Sequence, residues 1–139
     1  MDLKSFILCM VLIVHLPIND GYGFSYNYSD EMAQSYCASR SFGYTFAIRR
    51  ECGGIAPTCN EICTNAATAI LKSINGQRSN VACYDAINIR KINPFLEINP
   101  SGRQPDAGKI NMKTYGYGDR GCTWAPNHCG PNYCCCKAY

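Results

Sequence analysis

Ten cysteines between Cys37 and Cys136 carry most of the reactive chemistry in this chain, and the last three, Cys134, Cys135 and Cys136, are adjacent. Thiols at this density either oxidise in pairs or ligate a metal as thiolates. A metal site would draw on Cys122, His128, Cys129 and the terminal cysteines. It would lack the paired C-x-x-C spacing of structural zinc sites, so no metal ligand is assigned. The oxidative reading predicts about five disulfides among Cys37, Cys52, Cys59, Cys63, Cys83, Cys122, Cys129, Cys134, Cys135 and Cys136.

Other catalytic chemistry is sparse. Two histidines occur, and one of them, His15, sits in an apolar leader. A Ser-His-Asp or Cys-His arrangement would therefore have to use His128, whose neighbours are prolines, asparagines and a cysteine expected to be oxidised. No nucleophile motif, phosphate-binding glycine loop or EF-hand loop is present. Asp85, Glu97, Asp106 and Asp119 are spread singly, which predicts solvated surface acids rather than a converging carboxylate pair. The chain reads as a non-enzyme with no catalytic residues and no cofactor. Trp124, the only tryptophan, stands between Cys122 and Cys129. It is either a ligand-binding aromatic or a core plug against a disulfide.

The compartment follows from the N-terminus. Lys4 precedes an apolar run from Phe6 to Leu16, then Pro17 and the small residues Gly21 and Gly23. This is the pattern of a secretory signal over residues 1–23, with Gly21 the alternative cleavage position. The run is shorter than the roughly 20 apolar residues of a membrane span, and no later stretch is long enough. Removing it takes away Cys9 and leaves an even ten cysteines, with 12 basic and 8 acidic residues for a net charge of +4. The basic residues are scattered, which argues against nucleic-acid binding. Asn27-Tyr28-Ser29 is a glycosylation sequon, expected on an exposed segment of an extracellular protein.

The elements that position these groups can be read in order. Residues 24–36 are polar and tyrosine-rich without a period, and are expected to form a loose arm. Tyr44–Ile48 alternates as a strand does. Thr58 with Glu61 forms a capping box for a helix that continues through Lys72 and stops at Asn75-Gly76. Cys59, Ile62, Cys63, Ala66, Ile70 and Ile74 fall on one face of it. Val81–Tyr84 and Ala86–Arg90 read as a strand pair or as one bulged strand. Residues 93–108 read as a long surface loop, Lys109–Tyr115 as a strand, and Cys129–Cys136 as a turn into a short strand. The expected fold is a small disulfide-rich α+β domain over residues 24–139, with one central helix on a short antiparallel sheet.

Geometry then constrains the sulfurs. Cys59 and Cys63 project from one helix face, whereas an extended chain sends Cys134 and Cys136 to one side and Cys135 to the other. The expectation is a double staple of Cys59 and Cys63 onto Cys134 and Cys136, with Cys135 paired on the opposite side.

The block Cys129-Gly130-Pro131-Asn132-Tyr133-Cys134-Cys135-Cys136, with Cys59-Asn60-Glu61-Ile62-Cys63, Cys83-Tyr84-Asp85-Ala86 and Lys113-Thr114-Tyr115, resembles small secreted cysteine-rich proteins of marine invertebrates. The likeness is greatest to bivalve mantle and shell-matrix proteins and covers about residues 50–136. It implies secretion and an extracellular matrix role, with matrix components as partners, and brings no catalytic residues. The chain lacks the acidic, repetitive composition of many shell proteins. Two other roles fit the residues. A helix Cys-x-x-x-Cys facing a strand Cys-x-Cys recurs in defensins and channel-blocking toxins. Tyrosines with Trp124 suit a carbohydrate-binding module.

Overall fold

The computed structural model describes residues 28–91, 112–125 and 129–139. The leader, the Asn27 sequon, the 93–108 segment and His128 lie outside these residues. In chain order the elements are α1 (Tyr28–Arg40), β1 (Tyr44–Arg49), α2 (Cys59–Asn65), α3 (Ala67–Ser73), β2 (Val81–Lys91), β3 (Met112–Gly116), a 3-10 helix (Gly118–Thr123) and β4 (Tyr133–Ala138). The class is the expected disulfide-rich α+β, with helices against a four-stranded antiparallel sheet.

The strand order is β1-β4-β2-β3, so the last strand of the chain enters the middle of the sheet. Its register places Phe46, Ala47 and Ile48 of β1 opposite Cys136, Cys135 and Cys134. On the other side, Cys83, Asp85 and Ala86 of β2 face the same three cysteines. Tyr84 is the extra residue, so the alternative of one bulged strand is the correct one. The structure thus has two layers on one sheet. Ile70, Ile74, Ala86, Ala138 and the helix cysteines form one buried cluster, with Phe46 and Ile48 packed on it. Ala33, Ile87, Ile89 and Tyr133 form the second, on the opposite face beneath α1.

The capping box forms: Thr58 Oγ1 accepts from the Glu61 amide at 3.3 Å, and the Glu61 carboxylate accepts from the Thr58 amide at 2.7 Å. The single helix expected from this start is interrupted at Ala66 and continues as α3. It stops where the sequence says. The Gly76 amide donates to the Leu71 carbonyl at 2.9 Å and the Asn75 amide to Lys72 at 3.1 Å. Asn75 and Gly76 have φ of 52° and 67°, the left-handed backbone that such a terminus requires.

The loose arm expected over 24–36 is corrected by α1, which begins at Tyr28. Only Ala33 and Cys37 of this helix are buried, so no apolar period marks it in the sequence. Tertiary contacts hold it instead. Asp30 accepts from Arg49 Nε at 2.6 Å and from the Tyr133 hydroxyl at 2.7 Å. The hydrogen bond from Arg49 keeps the Asp30 carboxyl below its ordinary pKa. Gln34 donates to the Thr45 carbonyl at 3.0 Å and accepts from the Ala47 amide at 2.9 Å, which satisfies the open edge of β1.

Five disulfides cross these layers: Cys37–Cys135, Cys52–Cys129, Cys59–Cys134, Cys63–Cys136 and Cys83–Cys122. The double staple of α2 onto β4 is present, and Cys135 bonds to α1 on the other face. The Cys59–Cys134 bridge spans 75 residues of sequence. Replacing both partners by serine should cost about 4 kcal/mol through the freed unfolded chain. Guanidinium unfolding of the double variant checks this, and a midpoint equal to that of the parent would contradict it.

Two phenols, Tyr133 buried and Tyr84 half-buried, add a second expectation. Burial pushes Tyr84 up to about 12. Burial, then the hydrogen bond to Asp30, does the same to Tyr133. A folded pKa above the ordinary 10.0 means that the protonated phenol stabilises the fold. That contribution is complete below about pH 10 and is lost as pH rises through about 12. Phenolate absorbance should show these two groups ionising late in the native protein and near 10 in denaturant; coincident titrations would refute the burial.

Candidate binding site

The sheet face that carries Cys134 and Cys136 continues along β2 and β3 as Asn88 opposite Tyr115 and Arg90 opposite Lys113. Arg90, Lys113 and Tyr115 are exposed, Tyr115 to 61%. Tyr117 follows β3, and its amide donates to the Ala86 carbonyl at 2.9 Å, which lays the 3-10 helix along β2. The Cys83–Cys122 bond anchors that helix, and Trp124 leaves its C-terminal end. The three rings form an edge-to-face series, with centroids 4.8 Å apart for Tyr115–Tyr117 and 5.2 Å apart for Tyr117–Trp124.

Two adjoining clefts lie along this series. One, of about 250 Å³, is lined by Asn88, Arg90, Lys113, Tyr115, Tyr117, Cys129 and Gly130. The other, of about 450 Å³, is lined by Tyr115, Tyr117, Arg120 and Trp124. Among the described residues, three cations and no carboxylate line the pair. The wall at Cys129–Gly130 is held by the Cys52–Cys129 disulfide and by Asn88 Nδ2, which donates to the Gly130 carbonyl at 2.6 Å. Behind this wall Arg50 is only 4% exposed. Its guanidinium donates to the carbonyls of Pro57 at 2.8 Å, Cys129 at 3.0 Å and Pro131 at 2.8 Å. Its Nη2 has no hydrogen-bond partner among the described residues. Burial pushes the Arg50 pKa down, but a guanidinium remains protonated, so its charge persists with carbonyls as its hydrogen-bond acceptors among the described residues.

Trp124, the residue singled out for ligand contact, is half-buried at the cleft margin. It packs on Gly130, where a Cβ would fall 2.6 Å from the indole Cδ1. It is therefore partly the plug beside a disulfide and partly a wall of the cleft. Cys122 and Cys129 carry disulfides and offer no thiolate to a metal.

Of the four acids expected on the surface, Asp119 is exposed, and Glu97 and Asp106 lie outside the described residues. Asp85 departs from that expectation at 2% exposure. The bulge turns it toward α1, where it accepts from Arg40 Nε at 3.0 Å, from the Tyr36 hydroxyl at 3.3 Å and from the Ala86 amide at 2.7 Å. It is a satisfied structural carboxylate, since a buried charge persists only when paired and hydrogen-bonded. Arg50 and the basic side of the cleft have no local sequence motif: the register of β2 on β3 brings Arg90 opposite Lys113, and the carbonyls of Pro57, Cys129 and Pro131 hold Arg50.

No protein-family model, no curated protein and no solved structure matches this chain.

Gly130 combines φ of 59° with the close Trp124 ring, so Gly130→Ala is strained in backbone and in space. It should destabilise the protein by about 1–3 kcal/mol and shift the emission of the only tryptophan to the red. An unshifted spectrum with parental stability would contradict the packing described here.

Proposed function

We propose that the protein is a secreted, non-enzymatic extracellular structural protein, a matrix component of the shell-matrix kind. The observation that carries this reading is the covalent lattice. Five disulfides close segments of 39 to 98 residues, and three of them converge on one central strand. Such bonds persist in oxidising surroundings and suit a small domain that must last outside the cell. The secretory pattern of residues 1–23 and the resemblance to mantle proteins point the same way. Among the described residues, no helix is long and apolar enough to cross a membrane.

A host-defence peptide or toxin is the second reading. The Cys59/Cys63 to Cys134/Cys136 staple supports it, as do two fully exposed apolar side chains, Phe42 and Ile55. The processing junction that many such peptides need counts against it. Of the two dibasic doublets, Arg49-Arg50 has Arg50 buried and Arg49 paired with Asp30, and Arg90-Lys91 lies within β2. Cutting there would also sever the chain between Cys37 and its partner Cys135 only at the backbone, leaving both pieces joined by sulfur.

Antibody detection across tissue fractions separates the two. The matrix reading expects the protein in mineralised or cuticular extracts, with no dye release from anionic vesicles at micromolar concentration. Abundance in haemocytes or venom glands, together with vesicle leakage, would replace it with the defence reading.

A further inference from the structure

We propose that the face formed by Tyr115, Tyr117 and Trp124 with Arg90, Lys113 and Arg120 binds an acidic polysaccharide. The rings take the apolar faces of the sugars, and the cations pair with sulfate or carboxylate substituents. The choice of a glycan over other polyanions rests on the extracellular reading above; the sign of the charge does not.

The sign follows from what lines the clefts. Among the described lining residues three are cationic and none is a carboxylate, and Arg90, Lys113 and Arg120 are exposed to solvent. Arg50 adds a fourth positive charge behind the Cys129–Gly130 wall; the acceptors of its hydrogen bonds among the described residues are carbonyl oxygens. A neutral sugar would need free amides and carboxylates to read its hydroxyls. Among the described lining residues, the amide of Asn88 already spends its Nδ2 on the Gly130 carbonyl at 2.6 Å.

The shape favours a chain over a small anion. The two clefts share Tyr115 and Tyr117 and together extend along the edge of the sheet. Lys113 and Tyr115 lie two residues apart on one strand face, about 7 Å, the scale of one sugar ring and its substituent. A cation and a ring thus alternate along the path that a linear glycan would follow. A nucleic acid would call for a denser basic surface than three exposed cations provide.

The test uses the intact, oxidised protein. Dextran sulfate, alginate, neutral dextran and a single-stranded oligothymidine are titrated, and binding is read by calorimetry and by Trp124 fluorescence. The expected result is that dextran sulfate and alginate bind at about 0.15 M salt and weaken at higher salt, whereas neutral dextran does not bind. The exposed pair R90E/K113E should lose at least about tenfold in affinity, and Y115A about five- to tenfold. Both variants should keep the parental disulfide map and unfolding midpoint. Absence of binding to either acidic polymer, equal binding of neutral dextran, oligothymidine binding as tight as dextran sulfate, or unchanged affinity in both variants would each overturn the proposal. Tissue location is read separately. Binding through these residues by a protein absent from matrix extracts would keep the site and sink the matrix reading. A matrix-located protein that fails to bind would do the reverse.

Discussion

Three adjacent cysteines in an extended strand must send their sulfurs to alternate sides, and the architecture depends on that alternation. Cys134 and Cys136 reach α2 on one face, and Cys135 reaches α1 on the other. Because β4 is a central strand, each bond fixes a helical layer to the middle of the sheet rather than to an edge. All three residues are fully buried. A one-residue slip of β4 would turn every sulfur away from its partner, so the bonds and the strand register enforce each other. This strand pairs with β1 and β2, both of which lie far from it in sequence. Folding is therefore dominated by contacts between distant parts of the chain, a topology that slows it.

The bulge at Tyr84 follows from this frame. Without it, Asp85 would face Cys134 and the apolar layer under α2, with no cation to meet. The extra residue moves Asp85 to the side of Cys135, where Arg40 and Tyr36 hydrogen-bond it, and brings Ala86 against Cys134. Cys83 stays on the α2 side and bonds to Cys122. One inserted residue thus satisfies a buried charge and anchors the 3-10 helix. Arg40 is half exposed, so the ion pair itself contributes modestly; the larger effect is the cost of leaving Asp85 unpaired if Arg40 and Tyr36 were removed.

Features written in short spans of sequence were legible. Thr58 and Glu61 specify a helix start within four residues, Asn75-Gly76 specifies its end, and the spacing of the cysteines specifies which sulfurs can meet. Features assembled from distant spans were not. The helix α1 has only two buried residues and owes its place to Arg49, Tyr133 and Cys135, which are remote in the chain. The burial of Asp85 depends on a bulge that local composition does not announce. Trp124 is legible as the lone tryptophan, but the series Tyr115–Tyr117–Trp124 and the cations beside it become a surface only through the register of β3 on β2 and the 3-10 helix that follows.

The lattice also divides its labour. Three bridges clamp the helices to β4, and the remaining two, Cys83–Cys122 and Cys52–Cys129, hold the walls of the aromatic cleft. The first fixes the 3-10 helix that bears Arg120 and leads to Trp124; the second fixes the loop at Gly130 on which that indole rests. Neither joins an α-helix to the sheet. Their effect is to hold a set of rings and cations in one geometry before any ligand arrives. Preorganisation of that kind matters most for shallow, open sites, where each contact is weak and the ordering of mobile side chains would otherwise cancel the gain. A polyvalent, flexible polymer is the ligand for which a fixed surface is most useful, because the polymer already brings the conformational entropy that binding must remove.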